Sequence, residues 1–191
     1  DESEDLVQKV VLSSTNAIGD LKQSLNLDDL KQIAEMMQTA ERILFIGLGS
    51  SGLVAADAFY KFSKLGLPTS VYQDPYSISI IGAHAKPTDL LFAISHTGET
   101  KEIVNCIELA HEKGSKTVAI TSFLHSRIAR FADVLLSSVT SEVKYLPDAT
   151  ISRLVQLVIV DTLYVNVMLR MLPDSGESLK QSRLAIARNK L

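Results

Sequence analysis

Apolar and polar positions along the chain keep two rhythms. Val7, Val10, Val11, Ile18, Leu21 and Leu25 recur at helical spacing. After a break near Asn26, Leu30, Ile33, Ala34 and Met37 do the same. This predicts two helices before any strand. ERILFIG (41–47) is then a continuously apolar strand running into Gly47 and Gly49. Helical spacing returns at Ala55, Ala58, Phe59, Phe62 and Leu65 and stops at Gly66. Further strands are predicted at TSVY (69–72), DLLFAI (89–94), KTVAIT (116–121) and DVLLS (133–137). Between them lie a helix or turn at 75–84, a helix at 100–113 stopped by Gly114, and a short helix at 125–132. A long helix at 149–172 ends at Pro173, and a tail helix covers about 177–189.

Strands that are apolar without alternation, separated by helices, indicate a parallel sheet covered on both faces. Five such strands predict a doubly wound α/β fold: a five-stranded parallel sheet with helices on both faces, preceded by N-terminal helices. One domain is expected over 1–191, with a helical lead-in at 1–40, a core at 41–172 and a tail at 173–191. In such sheets ligands bind outside the carboxyl ends of the strands. Two unusual turns, GLGSSG and SHTGET, fall there.

The helix near 150–170 is apolar all round rather than along one stripe, so it needs cover on every side. Burial within its own domain would supply that. A homodimer core would too, and is the favoured expectation. Gln156, Asp161 and Asn166 interrupt its segment from Leu154 to Leu169, which is too short and too polar for a membrane span.

Composition narrows the classes. Of 191 residues, 46% are apolar and 21% charged, as in a globular protein. A net charge of −3 argues against this chain gripping nucleic acid by itself. Cys106 is the single cysteine, which excludes an intrachain disulfide and a cysteine-rich zinc site. It is expected to be a small buried helix residue in a reducing cytoplasm. No cofactor, metal or membrane is expected. The chain opens DESED without an initiator Met, so a fragment of a longer protein is expected.

SHTGET carries the chemistry. The start of a helix leaves backbone N–H groups without partners, with roughly half a positive charge there. Ser95, Thr97 and Thr100 add hydroxyls, and Gly98 lacks the Cβ that would block close approach. With the amides of His96, Thr97 and Gly98, these residues suit a phosphate and need no Lys or Arg. Simple capping of the helix is the competing explanation. Glu99, an acid beside the proposed anion, must point away. GLGSSG matches G-x-G-x-x-G only formally. Asp74 is the nearest acid to a ribose position, and no Walker GK[ST] is present. Ser50 and Ser51 offer hydroxyls to a sugar or its phosphate.

GLGSS after ILFI, together with ISHTGET after DLLFA, resembles the sugar isomerase (SIS) domain, a phosphosugar-binding module, over about residues 40–170. The second signature of that family is Ser-x-Ser-Gly-x-Thr; here Thr97 replaces the second Ser and keeps the hydroxyl. A narrower resemblance is to RpiR-type bacterial transcription regulators. AERILFIGLGSSG, FYKFSKLG and SEV…ATISRLVQLVIVDTLYV carry it. Those regulators join a helix-turn-helix domain to a SIS sensor. The resemblance implies an effector-binding half that would reach DNA only through a helix-turn-helix domain absent from this sequence. It implies that Ser95, Thr97, Thr100 and the His96 amide hold phosphate, that Ser50 and Ser51 face the ligand, and that Glu142 lies near the sugar ring. It also implies a homodimer or higher homo-oligomer.

An aldose–ketose isomerase is the alternative and needs a base. His84, His96, Glu99 and Glu142 are the candidates. No pair of acids stands at a telling spacing, and no residue is assigned a catalytic role. A sensor needs only the cradle and is the preferred expectation.

Overall fold

A computed structural model describes residues 2–139 and 150–189, with side chains from residue 6 onward. Two helices lead in: α1 (Glu2–Ser24) and α2 (Leu27–Thr39). The core follows as β1 (Arg42–Ile46), α3 (Gly49–Ser63), β2 (Thr69–Tyr72), α4 (Pro75–Ala83), β3 (Asp89–Ile94), α5 (Lys101–Glu112), β4 (Lys116–Thr121) and β5 (Val134–Ser137). The chain closes with α6 (Thr150–Arg170) and α7 (Asp174–Ala187).

All five strands are parallel, in the order β2-β1-β3-β4-β5. Alternate residues face opposite sides, as strand geometry requires. Ile43, Phe45, Leu90, Phe92, Val118 and Ile120 pack with α1, α2, α3 and α6. Leu44, Ile46, Leu91, Ala93 and Ala119 pack with α4 and α5. Both faces are therefore covered, which is why the strands read as unbroken apolar runs. Phe45 anchors the first layer, with ring centroids 5.7 Å from Phe62 and 5.3 Å from Phe92.

On the other face, α4 and α5 meet closely at Gly82. A Cβ there would lie 2.9 Å from Cys106 Cα. Cys106 is buried, and burial pushes its thiol up to about 12. It is packing, not a nucleophile.

Three expectations change. The segment 125–132 is not an α-helix but a 3₁₀ turn at Ile128–Arg130. Its N–H groups bond three residues back, as from Ala129 to Ser126 and from Phe131 to Ile128. Contacts with the β3–α5 loop, from Ile128 N to Gly98 O and from Arg127 N to Glu99 Oε1, hold it in that form. The tail helix starts at Asp174 rather than 177. And α6 runs 21 residues and holds an 18-residue window of mean hydropathy 1.4, so by length and composition alone it matches a membrane span. Its apolarity has a visible use inside this fold: Ile151, Val155, Ile159, Val160, Leu163 and Val167 are buried in the core.

Candidate functional site

In this strand order the chain leaves β1 toward one edge of the sheet and β3 toward the other. The topological switch point lies between β1 and β3, where ligands bind in open α/β sheets. The β1–α3 and β3–α5 turns, carrying GLGSSG and SHTGET, are neighbours at that point.

Both helices start there without side-chain caps. Leu48 precedes α3 and offers no acceptor. Thr100 precedes α5 and makes no side-chain capping bond. Elsewhere capping is ordinary: Asn26 accepts from Asp28 N, and Asp74 accepts from Tyr76 N and Ser77 N. Bonds from the Ser77 hydroxyl and amide hold the Asp74 carboxyl below the usual carboxylate range. Asp74 is thus committed as a cap and not to a ribose. Capping does not explain the hydroxyl of Thr100.

Inside SHTGET the hydroxyls have particular partners. Ser95 is buried, and its Oγ accepts from Gly98 N at 3.2 Å. Thr97 Oγ1 accepts from Glu99 N at 3.2 Å. Each hydroxyl that accepts from an amide keeps its own proton to donate. The amides of His96, Thr97 and Thr100 make no hydrogen bond to a described residue. The Gly98 amide, expected to face the ligand, is instead engaged by Ser95 O and Oγ. The role of Gly98 is also different from open access: its φ is +65°, and the place of a Cβ is filled by Ser126 and Ile128 of the same chain.

A cleft of about 480 Å³ opens beside this loop. Thr97 and Glu99 line one side, and residues 122–126 with Val139 line the other. Glu99 is among the residues lining the cleft, and its Oε1 accepts from Arg127 N at 2.7 Å. The β4–β5 connection SFLHS (122–126) was missed as a site element. The signal was present, since it follows a strand at the same carboxyl edge as the other two turns. His96 joins the two walls: its Nδ1 lies 3.0 Å from Ser122 Oγ, and its ring meets Phe123 edge-on at 5.6 Å.

Ser50 and Ser51 sit in the first turn of α3 and do not line this cleft. Their hydroxyls have no partner among the described residues. The backbone there is tight: a Cβ on Gly47 would lie 2.6 Å from Ser51 O, and Gln73 Nε2 donates to Gly52 O at 2.8 Å. Glu142 lies outside the described residues. His84 ends α4, at the edge of the sheet opposite to the turns, so it is remote from the cleft. Among the described residues no group of His, Cys, Asp and Glu could hold a metal ion.

Comparison with known proteins agrees with this arrangement. The family model of the SIS domain matches residues 36–166. The chain is 40% identical over 187 residues to an HTH-type transcriptional regulator of Thermotoga maritima; the match takes in 98% of this chain but 66% of that protein, so the chain spans a little under two thirds of its length. The Vibrio vulnificus NanR protein, solved in complex with ManNAc-6P, has the same fold at a TM-score of 0.88 and 23% identity, over 96% of this chain and 69% of that one. The sugar isomerase domain of the RpiR transcription factor from Sphaerobacter thermophilus superposes at 0.80 with 25% identity, over 92% and 98%. With the five-stranded order, both turns and the family match in agreement, the chain belongs to the SIS-domain family.

Proposed function

We propose that this chain is the effector-binding part of a transcriptional regulator and that it binds a phosphorylated sugar beside the β3–α5 turn. One observation carries the reading. The start of α5 lies at the switch point with uncapped amides, and the Ser95, Thr97 and Thr100 hydroxyls keep protons to donate. That is a donor set for a dianion without a cation. The ManNAc-6P held by Vibrio vulnificus NanR, and the HTH-type regulator of Thermotoga maritima, support the ligand class and the regulatory setting. DNA contact would belong to the third of the Thermotoga maritima regulator that the match does not cover. Ser50, Ser51 and Glu142 complete the proposed contacts around the sugar.

A thermal-shift screen with hexose phosphates tests this directly, because a ligand of the folded state raises apparent stability. Thr97→Val keeps volume and removes the hydroxyl. Calorimetry should show hexose-phosphate binding weakened by about 1–2 kcal/mol. Unchanged affinity would remove Thr97 from the cradle.

The chain also acts as a homodimer in this reading. Leu6, Val7, Val11 and Leu12 are exposed on α1, while Ala17 and Leu21 of the same helix are buried in the core. Four exposed apolar side chains within two turns of one helix call for cover. Sedimentation equilibrium should give a dimer for the wild type and a monomer for Val7→Glu/Val11→Glu. A wild-type monomer at micromolar concentration would refute the assembly.

A further inference from the structure

A row of hydroxyls ties the ligand loop to α6. Ser122 Oγ lies 2.8 Å from Ser138 O, 3.0 Å from Ser138 Oγ and 3.0 Å from His96 Nδ1. Gln156 Nε2 lies 3.3 Å from Ser138 Oγ. Ser138 and Gln156 are buried, so water does not rearrange them. The Ser122 hydroxyl has one proton and two lone pairs. A carbonyl can only accept, so at 2.8 Å the proton must go to Ser138 O. Ser122 Oγ then has no proton left for its other neighbours and can only accept from them. His96 Nδ1 must therefore carry a proton, whichever way the Gln156 amide is turned.

The remaining ring nitrogen, Nε2, makes no hydrogen bond to a described residue. The His96 carbonyl accepts from Ser122 N at 3.0 Å and Thr121 Oγ1 at 3.1 Å, so the backbone beneath the ring is held as well. His96 is half-buried and is not itself among the residues lining the cleft; its ring rests against Ser122 and Phe123, which are. In neutral imidazole a protonated Nδ1 leaves Nε2 with a lone pair.

We propose that Ser122 fixes His96 in the Nδ1–H tautomer, so that Nε2 is a preset acceptor for a sugar hydroxyl and a determinant of specificity. A phosphate dianion offers acceptors only and does not use such an atom; a hydroxyl of the sugar does. The ligand half of this proposal rests on the function proposed above, whereas the tautomer does not. A donor in that place would favour a keto or carboxylate oxygen, so the tautomer decides which ligands fit.

The test has two readouts on the whole chain. The first is a long-range ¹H–¹⁵N correlation spectrum of histidine-labelled protein at about pH 8.5, where imidazoles as a class are neutral. The His96 signals are identified by their loss in His96→Asn. The wild type should show Nδ1 protonated, and Ser122→Ala should release the ring to a mixture. A wild-type ring protonated at Nε2 overturns the proposal. The second readout compares ManNAc-6P and fructose 6-phosphate with inorganic phosphate. His96→Asn keeps a donor toward Ser122 but loses the Nε2 acceptor. Its loss for the binding sugar phosphate should exceed its loss for inorganic phosphate by about fivefold to tenfold. Equal losses overturn the role of Nε2 alone. A wild type that binds inorganic phosphate but no sugar phosphate of a broad panel overturns the proposed function, and the role of Nε2 with it.

Discussion

Gly98→Ala should lose sugar-phosphate binding by more than about tenfold and cost about 2–4 kcal/mol of stability. Two effects add. The backbone at Gly98 has φ +65°, where a Cβ costs about 1–2 kcal/mol. The new methyl group would also overlap Ser126 Oγ and lie 2.7 Å from Ser126 Cβ and 3.0 Å from Ile128 Cγ2. The hydroxyl could rotate away only by leaving Phe123 O, which it meets at 2.6 Å; the Cβ could move only with its backbone. Because Ile128 N bonds Gly98 O at 3.1 Å, the displacement would part the two walls of the cleft. The double variant Gly98→Ala/Ser126→Gly separates the two terms. Removing the Ser126 side chain should restore part of the stability and leave the backbone cost. Chemical denaturation of the four proteins in the cycle measures this. Wild-type stability and affinity in Gly98→Ala alone would show that the close approach is wrong.

That result bears on how far the fold and site could be read from residues alone. DLLFAI and KTVAIT coincide with β3 and β4, and TSVY with β2, because strands covered on both faces show up as plain apolar runs. The two turns were visible for a related reason: glycines and small hydroxyl residues stand out where an apolar run ends. The purpose of Gly98 was less visible. The sequence suggests room for a ligand, whereas the structure fills that room with Ser126, 28 positions along the chain. Contacts of that range leave no local pattern. The same holds for Glu99, whose carboxylate has a backbone partner at Arg127, 28 positions along the chain. The segment 125–132 misled for a third reason. Spacing of three to four residues does not tell a 3₁₀ turn from the first turn of an α-helix. The tie from His96 through Ser122 and Ser138 to Gln156 spans four separate elements and has no signature in spacing at all.

Asp89→Ala should cost about 2–3 kcal/mol of stability and leave ligand affinity of the folded protein unchanged. Asp89 and Arg42 are register partners at the amino ends of β3 and β1, opposite the cleft. Arg42 Nε donates to Oδ1 at 2.8 Å, Nη2 to Oδ2 at 2.5 Å, and Lys86 N to Oδ2 at 2.8 Å. The Asp89 side chain is 0% exposed and that of Arg42 40%. Breaking a fully buried pair costs about 3–5 kcal/mol, but water can reach this guanidinium, so the smaller figure applies. Burial pushes the Asp89 carboxyl up, yet the Arg42 bonds and the Lys86 amide outweigh it and hold the group below the usual carboxylate range. The direction of the pH effect follows. A folded-state value below the unfolded one, about 3.9, gives stability that is fully present above the unfolded value and is lost as pH falls through the folded one. The stability gap between wild type and Asp89→Asn should therefore be widest from about pH 5 upward and should narrow as the pH falls below the unfolded value of about 3.9. Urea unfolding at a series of pH values measures the gap. If it stayed constant down to the lowest pH at which the protein folds, the ion pair would not be its source. If Asp89→Ala weakened hexose-phosphate binding in the folded protein, the separation between this end of the sheet and the cleft would be incorrect.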